Sequence, residues 1–155
     1  MILLEVINIR NFLAKLELSK FDKEVRKAVR KNYVLASKKV TDYQDARNAF
    51  REKCFEGIDD EIIQKATALE QEFEIAKADR KSEIEKELLS EKFQDYQVAN
   101  KEFIELLEEE LKKDVEEIDW VKVDEDAIMD SFAAAGIRFT ATLSDDLKYM
   151  IKVDN

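Results

Sequence analysis

The sequence predicts a mainly α protein built on a long antiparallel helical hairpin of coiled-coil character, with a small C-terminal module of short helices. Three observations carry this reading. There are two glycines and no prolines in 155 residues, so the chain has few hard stops. Apolar residues make up 45% and charged residues 40%, the balance of long solvated helices. Residues Phe21 to Phe55 run 35 positions without a breaker, with Val25, Val29, Ala36, Val40, Tyr43, Ala46, Phe50 and Cys54 recurring on one slowly drifting face. Such a helix would be about 50 Å long, too long to bury its stripe against a short partner. Another long helix, or a second copy of the chain, must cover it.

In chain order, residues 2 to 18 read as a short helix, with Leu3, Val6, Ile7, Leu13 and Leu16 near one face. Ser19 stands where an N-cap belongs, with Asp22 three residues on. Gly57 is the expected left-handed residue ending the long helix, and Asp59 or Asp60 caps the next. From Asp60 to Lys113 no strong breaker occurs, so either one very long helix forms or two form with a kink near residues 79–83, where Ser82 and Glu85 make a capping pair. The turn at Gly57 makes the two long segments antiparallel neighbours. Phe50 and Phe103 are expected to be buried alike.

The two long segments also share a pattern. Asp42-Tyr43-Gln44, Ala46, Phe50 and Glu52 recur 53 residues later as Asp95-Tyr96-Gln97, Ala99, Phe103 and Glu105. Similar heptads agreeing by chance explain this more simply than duplication of an ancestral helix.

After Lys113 the residues change character. Val115, Ile118, Trp120, Val121 and Val123 favour an extended segment that can pair with Ile137–Leu143. Between them, Asp124 or Asp126 starts a small helix stopped by Gly136, and Ser144 can cap a last turn or two holding Leu147, Met150 and Ile151. The expected division is residues 1–114, the N-terminal helix plus hairpin, and residues 115–155, a module packed on it in a single structural unit.

The chemistry of catalysis is sparse. There is no histidine, no Gly-rich phosphate loop and no metal-ligand spacing. Runs such as Glu108-Glu109-Glu110 read as solvated faces, and Cys54 lies in apolar phase as a buried structural thiol. The expectation is a non-enzyme with no cofactor, no bound metal and no membrane segment, since no apolar run reaches the roughly 20 residues that span a bilayer.

Charge is the feature that points to a partner. The formal net charge is −10, yet residues 20–40 hold eight Lys or Arg against two acids. Within them Lys23, Arg26, Lys27, Arg30 and Lys31 sit three and four apart and form the candidate partner-binding surface. Pairing with acidic helices, within the chain or in a second copy, is favoured over nucleic acid, because residues 41–155 carry −16.

The pattern Phe103-x-x-Leu106-Leu107, Val115-x-x-Ile118-x-Trp120-x-Lys122-Val123 and Leu143-x-x-x-Leu147-x-x-Met150-Ile151 resembles small uncharacterised helical proteins of tailed bacteriophages. Those begin with a basic helix, continue into a Tyr- and Ala-containing helix, and end in a short extended stretch plus a terminal helix. The resemblance implies a virion structural or assembly component acting through helix-mediated protein contacts. Its partners would be phage proteins or itself as a homo-oligomer, located in the host cytoplasm or the virion. The alternative is an acidic inhibitor of a host defence complex that mimics nucleic acid; direct DNA binding through the basic stripe ranks third.

Overall fold

A computed structural model describes residues 1–153; Asp154 and Asn155, the last two positions of the expected C-terminal module, lie outside the described residues. The chain is mainly α, as its composition and periodicity predict. Seven α-helices are present among the described residues: α1 (Leu3–Ala14), α2 (Lys23–Cys54), α3 (Asp60–Ile75), α4 (Ala78–Leu88), α5 (Gln94–Leu111), α6 (Glu125–Ala134) and α7 (Ala141–Leu147). Short 3-10 turns follow at Glu91–Phe93 and Lys148–Met150. The chain forms two compact units, residues 1–44 with 111–155, and residues 45–110.

In the first unit, α1, the first part of α2, α6 and the C-terminal turns share one core. Val25, Ala28 and Val29 of α2 meet Leu13, Val123, Ile128, Phe132, Leu147 and Met150. The phenyl ring of Phe132 lies 5.1 Å from that of Phe21 and 5.8 Å from that of Phe139. Burial of Phe21 moves the helix start. The expected cap Ser19 stays in the preceding turn, and Asp22 caps instead, its Oδ2 accepting the Glu24 N–H at 3.1 Å and its carbonyl the Arg26 N–H at 2.9 Å. The Asp22 N–H in turn donates to Ser131 Oγ at 3.0 Å, and Ser131 is buried in α6. This bond ties α6 to the start of α2. Ser131→Ala is therefore expected to cost about 1 kcal/mol in a denaturant melt, the net worth of one part-buried hydrogen bond.

The segment after α5 is extended, as expected, but its pairing differs. Residues 137–143 form no strand: Thr140 Oγ1 accepts the Leu143 N–H at 3.2 Å and starts α7, inside which Ser144 lies. Leu143, Leu147 and Met150 are spaced four and three apart, so the helical period prevails over the loose alternation. The extended segment instead pairs at single points. Val123 and Ile151 form a parallel bridge, and Ile2 and Asp114 an antiparallel one. Gly136 stops α6 with a left-handed φ of 74°.

Its main anchor is Asn32, which is wholly buried in α2. The amide nitrogen donates to the Val121 carbonyl at 3.0 Å, and the amide oxygen accepts the Val121 N–H at 2.8 Å. One side chain thus satisfies both backbone groups of a residue that has no ladder partner.

In the second unit, Gly57 has φ 81° and ends the turn after α2, and Asp59 Oδ1 caps α3 through the Glu61 N–H at 2.9 Å. The arm after Asp60, expected as one long helix or as two with a kink near residues 79–83, is broken twice. Ala76 and Lys77 are extended, with ψ of 154° and 164°, and Ser90 is extended with ψ 158°. The kink thus falls ahead of residues 79–83, and Ser82 lies within α4 rather than capping it. The physical reason is tertiary. Arg80 donates to Glu72 through Nε at 2.7 Å and Nη2 at 3.1 Å, and to Glu83 at 3.1 Å, joining α4 to α3. The Glu72 carboxyl is held below its usual range by that hydrogen bond. Ile75 and Leu89, beside the two breaks, are 87% and 80% exposed, which marks where the apolar phase is lost.

The core of this unit joins Phe55, Ala66, Phe93, Tyr96, Ala99 and Phe103. Phe55 lies 5.4 Å from the Tyr96 ring and 5.9 Å from the Phe103 ring. Phe103 is buried as expected, but Phe50 is only half-buried, because Phe55 takes the central place. Tyr96 donates its hydroxyl to Glu70 Oε1 at 2.9 Å. Burial first, then that carboxylate, push the Tyr96 phenol up to about 12. Its folded value is raised, so its contribution is present below the phenol's ordinary range and is lost as pH rises through about 12. Tyr96→Phe is expected to cost about 1–3 kcal/mol at neutral pH and to flatten the alkaline limb of a pH–stability curve, as read by urea melts.

Candidate functional site

Helix α2 buries Val25, Ala28, Val29, Asn32 and Ala36 along one side of its first four turns. At 100° per residue, Lys23, Lys27, Arg30 and Val34 fall on the opposite side. All four are exposed, Val34 by 53%. Lys31 is exposed beside them, and Arg26 is half-buried toward the core edge. The structure therefore brings all five sequence-predicted residues, Lys23, Arg26, Lys27, Arg30 and Lys31, to one end of α2. Among the described residues none of the five enters an ion pair. Internal ion pairing, one of the sequence expectations, is thus not formed by them among the described residues.

This face works against its own helix. Lysines at positions 23, 27 and 31 are like charges four apart, and each such pair destabilises a helix by a few tenths of a kcal/mol. Cations in the first turn also oppose the positive end of the helix macrodipole. The Asp22 cap and Glu24 offset part of that cost.

The opposite charge resides in the second unit. Residues 45–110 contain ten Lys and Arg against twenty Asp and Glu, whereas the remainder of the chain is balanced. On α5, Val98, Glu105 and Glu109 lie away from the buried Tyr96, Ala99 and Phe103, Glu102 lies to one side of them, and all four are exposed, Val98 by 64%. None of these glutamates forms an ion pair among the described residues.

A second feature lies in the first unit. A cleft of about 710 Å³ is lined by Met1, Val115, Glu116, Glu117, Ile118, Asp119, Trp120, Lys122 and Tyr149. The Trp120 and Tyr149 rings lie 4.7 Å apart, and the Tyr149 hydroxyl is buried without a hydrogen-bond partner. Burial and then Asp146 push that phenol upward, so it stays neutral. The sequence predicts an extended segment over residues 115–123 and a last helical turn around Tyr149 but no cleft between them, since the ring contact joins positions 29 apart.

Cys54 is half-buried, and burial followed by Glu102 raises its thiol above the ordinary value, which disfavours the thiolate a nucleophile needs. No group of three Asp, Glu, Cys or His among the described residues is placed to hold a metal ion. No described helix is long and apolar enough to cross a membrane. Comparison of the chain with protein-family models, with curated proteins and with solved structures finds no match.

Proposed function

We propose that this chain is a non-enzymatic bacteriophage protein that acts through helix-mediated contacts with other proteins, as a virion or assembly component. The carrying observation is the solvent side of α2, where exposed cations without ion pairs flank an exposed valine. Cations that cost the helix stability are accounted for when a partner supplies the counter-charge. The bacteriophage setting rests on the resemblance of the Phe103–Ile151 pattern, and the host cytoplasm or the particle is the corresponding location. Mass spectrometry of purified particles tests the reading. Stoichiometric recovery of the chain identifies a virion component; recovery only from assembly intermediates identifies an assembly factor. Absence from both overturns the proposal.

A second reading has its own observation. The −10 of residues 45–110 makes the second unit a carboxylate-rich surface suited to compete with nucleic acid for a basic site. Inhibition of a host defence nuclease by the isolated chain would favour it. Direct DNA binding is the weakest, because acids within about one Debye length, roughly 8 Å, oppose the stripe's attraction for phosphate. In a gel shift at about 0.15 M salt no duplex is expected to be retained. A retained complex abolished by Lys23→Glu, Lys27→Glu and Arg30→Glu together would reverse that ranking.

A further inference from the structure

We infer that the basic face of α2 docks on the acidic face of α5 in a second copy of this chain, the two helices running antiparallel in one defined register. The inference rests on the protein-contact reading above and names its partner. On α2, Lys23, Lys27, Arg30 and Val34 are spaced four, three and four apart; on α5, Val98, Glu102, Glu105 and Glu109 have the same spacing. That is the alternating four-and-three spacing by which one face of a helix meets a partner helix. Laid antiparallel with Val34 on Val98, Arg30 meets Glu102, Lys27 meets Glu105 and Lys23 meets Glu109, so every layer of the seam is apolar with apolar or cation with carboxylate. A parallel alignment that joins the two valines leaves the charges running away from each other. The α2 seam lies opposite its buried stripe, and the α5 seam consists of exposed residues, of which Glu102 lies near enough to Cys54 to raise its thiol.

Exposed ion pairs are individually weak, so three of them with one valine contact describe a contact that forms and releases. Salt screens such pairs, and association should weaken at least about tenfold between about 0.05 M and about 0.5 M salt.

Charge exchange tests the pairing in the full-length chain. One variant carries Lys23→Glu, Lys27→Glu and Arg30→Glu; another carries Glu102→Lys, Glu105→Lys and Glu109→Lys. By sedimentation equilibrium each alone should lose self-association by about a hundredfold or more, because like charges then face each other. An equimolar mixture should associate again, since each acidic α2 now finds a basic α5. Circular dichroism confirms that both variants fold. The register is read separately, in a Cys54→Ser background. A Val34→Cys chain mixed with a differently tagged Val98→Cys chain should give the mixed disulfide in preference to either symmetric one. A wild-type chain that stays monomeric at millimolar concentration, or variants that remain apart when mixed, would overturn the inference. Recovery of the chain from particles would then still uphold the protein-contact function with a different partner, whereas absence from particles defeats that function independently.

Discussion

Phe103→Ala is expected to destabilise the protein by about 3–5 kcal/mol, the range for deleting a buried phenyl ring and leaving its cavity. Phe103 is 5% exposed in a core with Phe55, Tyr96 and Ala99, and its ring meets the Phe55 ring edge-on at 5.9 Å. The neighbouring rings are large and fixed on α5 and the turn after α2, so the site cannot collapse easily. Phe50 occupies the rim of the same cluster and keeps part of its water contact. Phe50→Ala is therefore expected to cost about 1–2 kcal/mol, in proportion to the area it hides. Urea unfolding followed by far-ultraviolet circular dichroism measures both. Equal midpoint shifts for the two variants would refute the rim position of Phe50.

Asn32→Leu should cost about 2–4 kcal/mol, although leucine has similar size and helix α2 tolerates it well. The loss comes from Val121, whose N–H and carbonyl are both paired to the Asn32 amide and would be left without partners. Val121 belongs to the segment that carries Trp120, the only tryptophan of the chain. Its fluorescence therefore reports the release directly: the indole should move from its place against Tyr149 at denaturant concentrations where the wild type is still folded. A change in stability without a change in the Trp120 signal would mean that Val121 finds other partners.

Asn32 also shows what was legible without being read. Val25, Val29 and Ala36 predict the buried side of α2, and position 32 falls on that side by the same period. A polar residue in an apolar stripe demands buried hydrogen-bond partners. What they are lies 89 residues away, which no local pattern contains. A still longer separation, 109 residues between Asp22 and Ser131, sets the outcome at Ser19 and Asp22. Both can cap a helix, and the choice follows from Phe21 packing on Phe132 and from Ser131 receiving the Asp22 N–H.

The candidate surface was more accessible to sequence reasoning than the core details. Solvent-facing charges need only the helix and its phase, and both are local properties. Charge and spacing together mark Lys23, Arg26, Lys27, Arg30 and Lys31, whereas the part of Val34 and Val98 depends on their exposure.

The sequence by itself determined the helical class, the 32-residue course of α2 from its unbroken apolar period, and the stops at Gly57 and Gly136. Those are consequences of backbone conformation and side-chain period, which act over a few residues. Only the tertiary structure decided where the arm after Asp60 breaks, why residues 137–143 turn into α7 rather than a strand, and which residue anchors the extended segment. At each of those places two local conformations are close in free energy. The Arg80–Glu72 pair, which spans eight residues across the first break, and the Asn32 amide, which reaches Val121 89 residues on, then tip the balance.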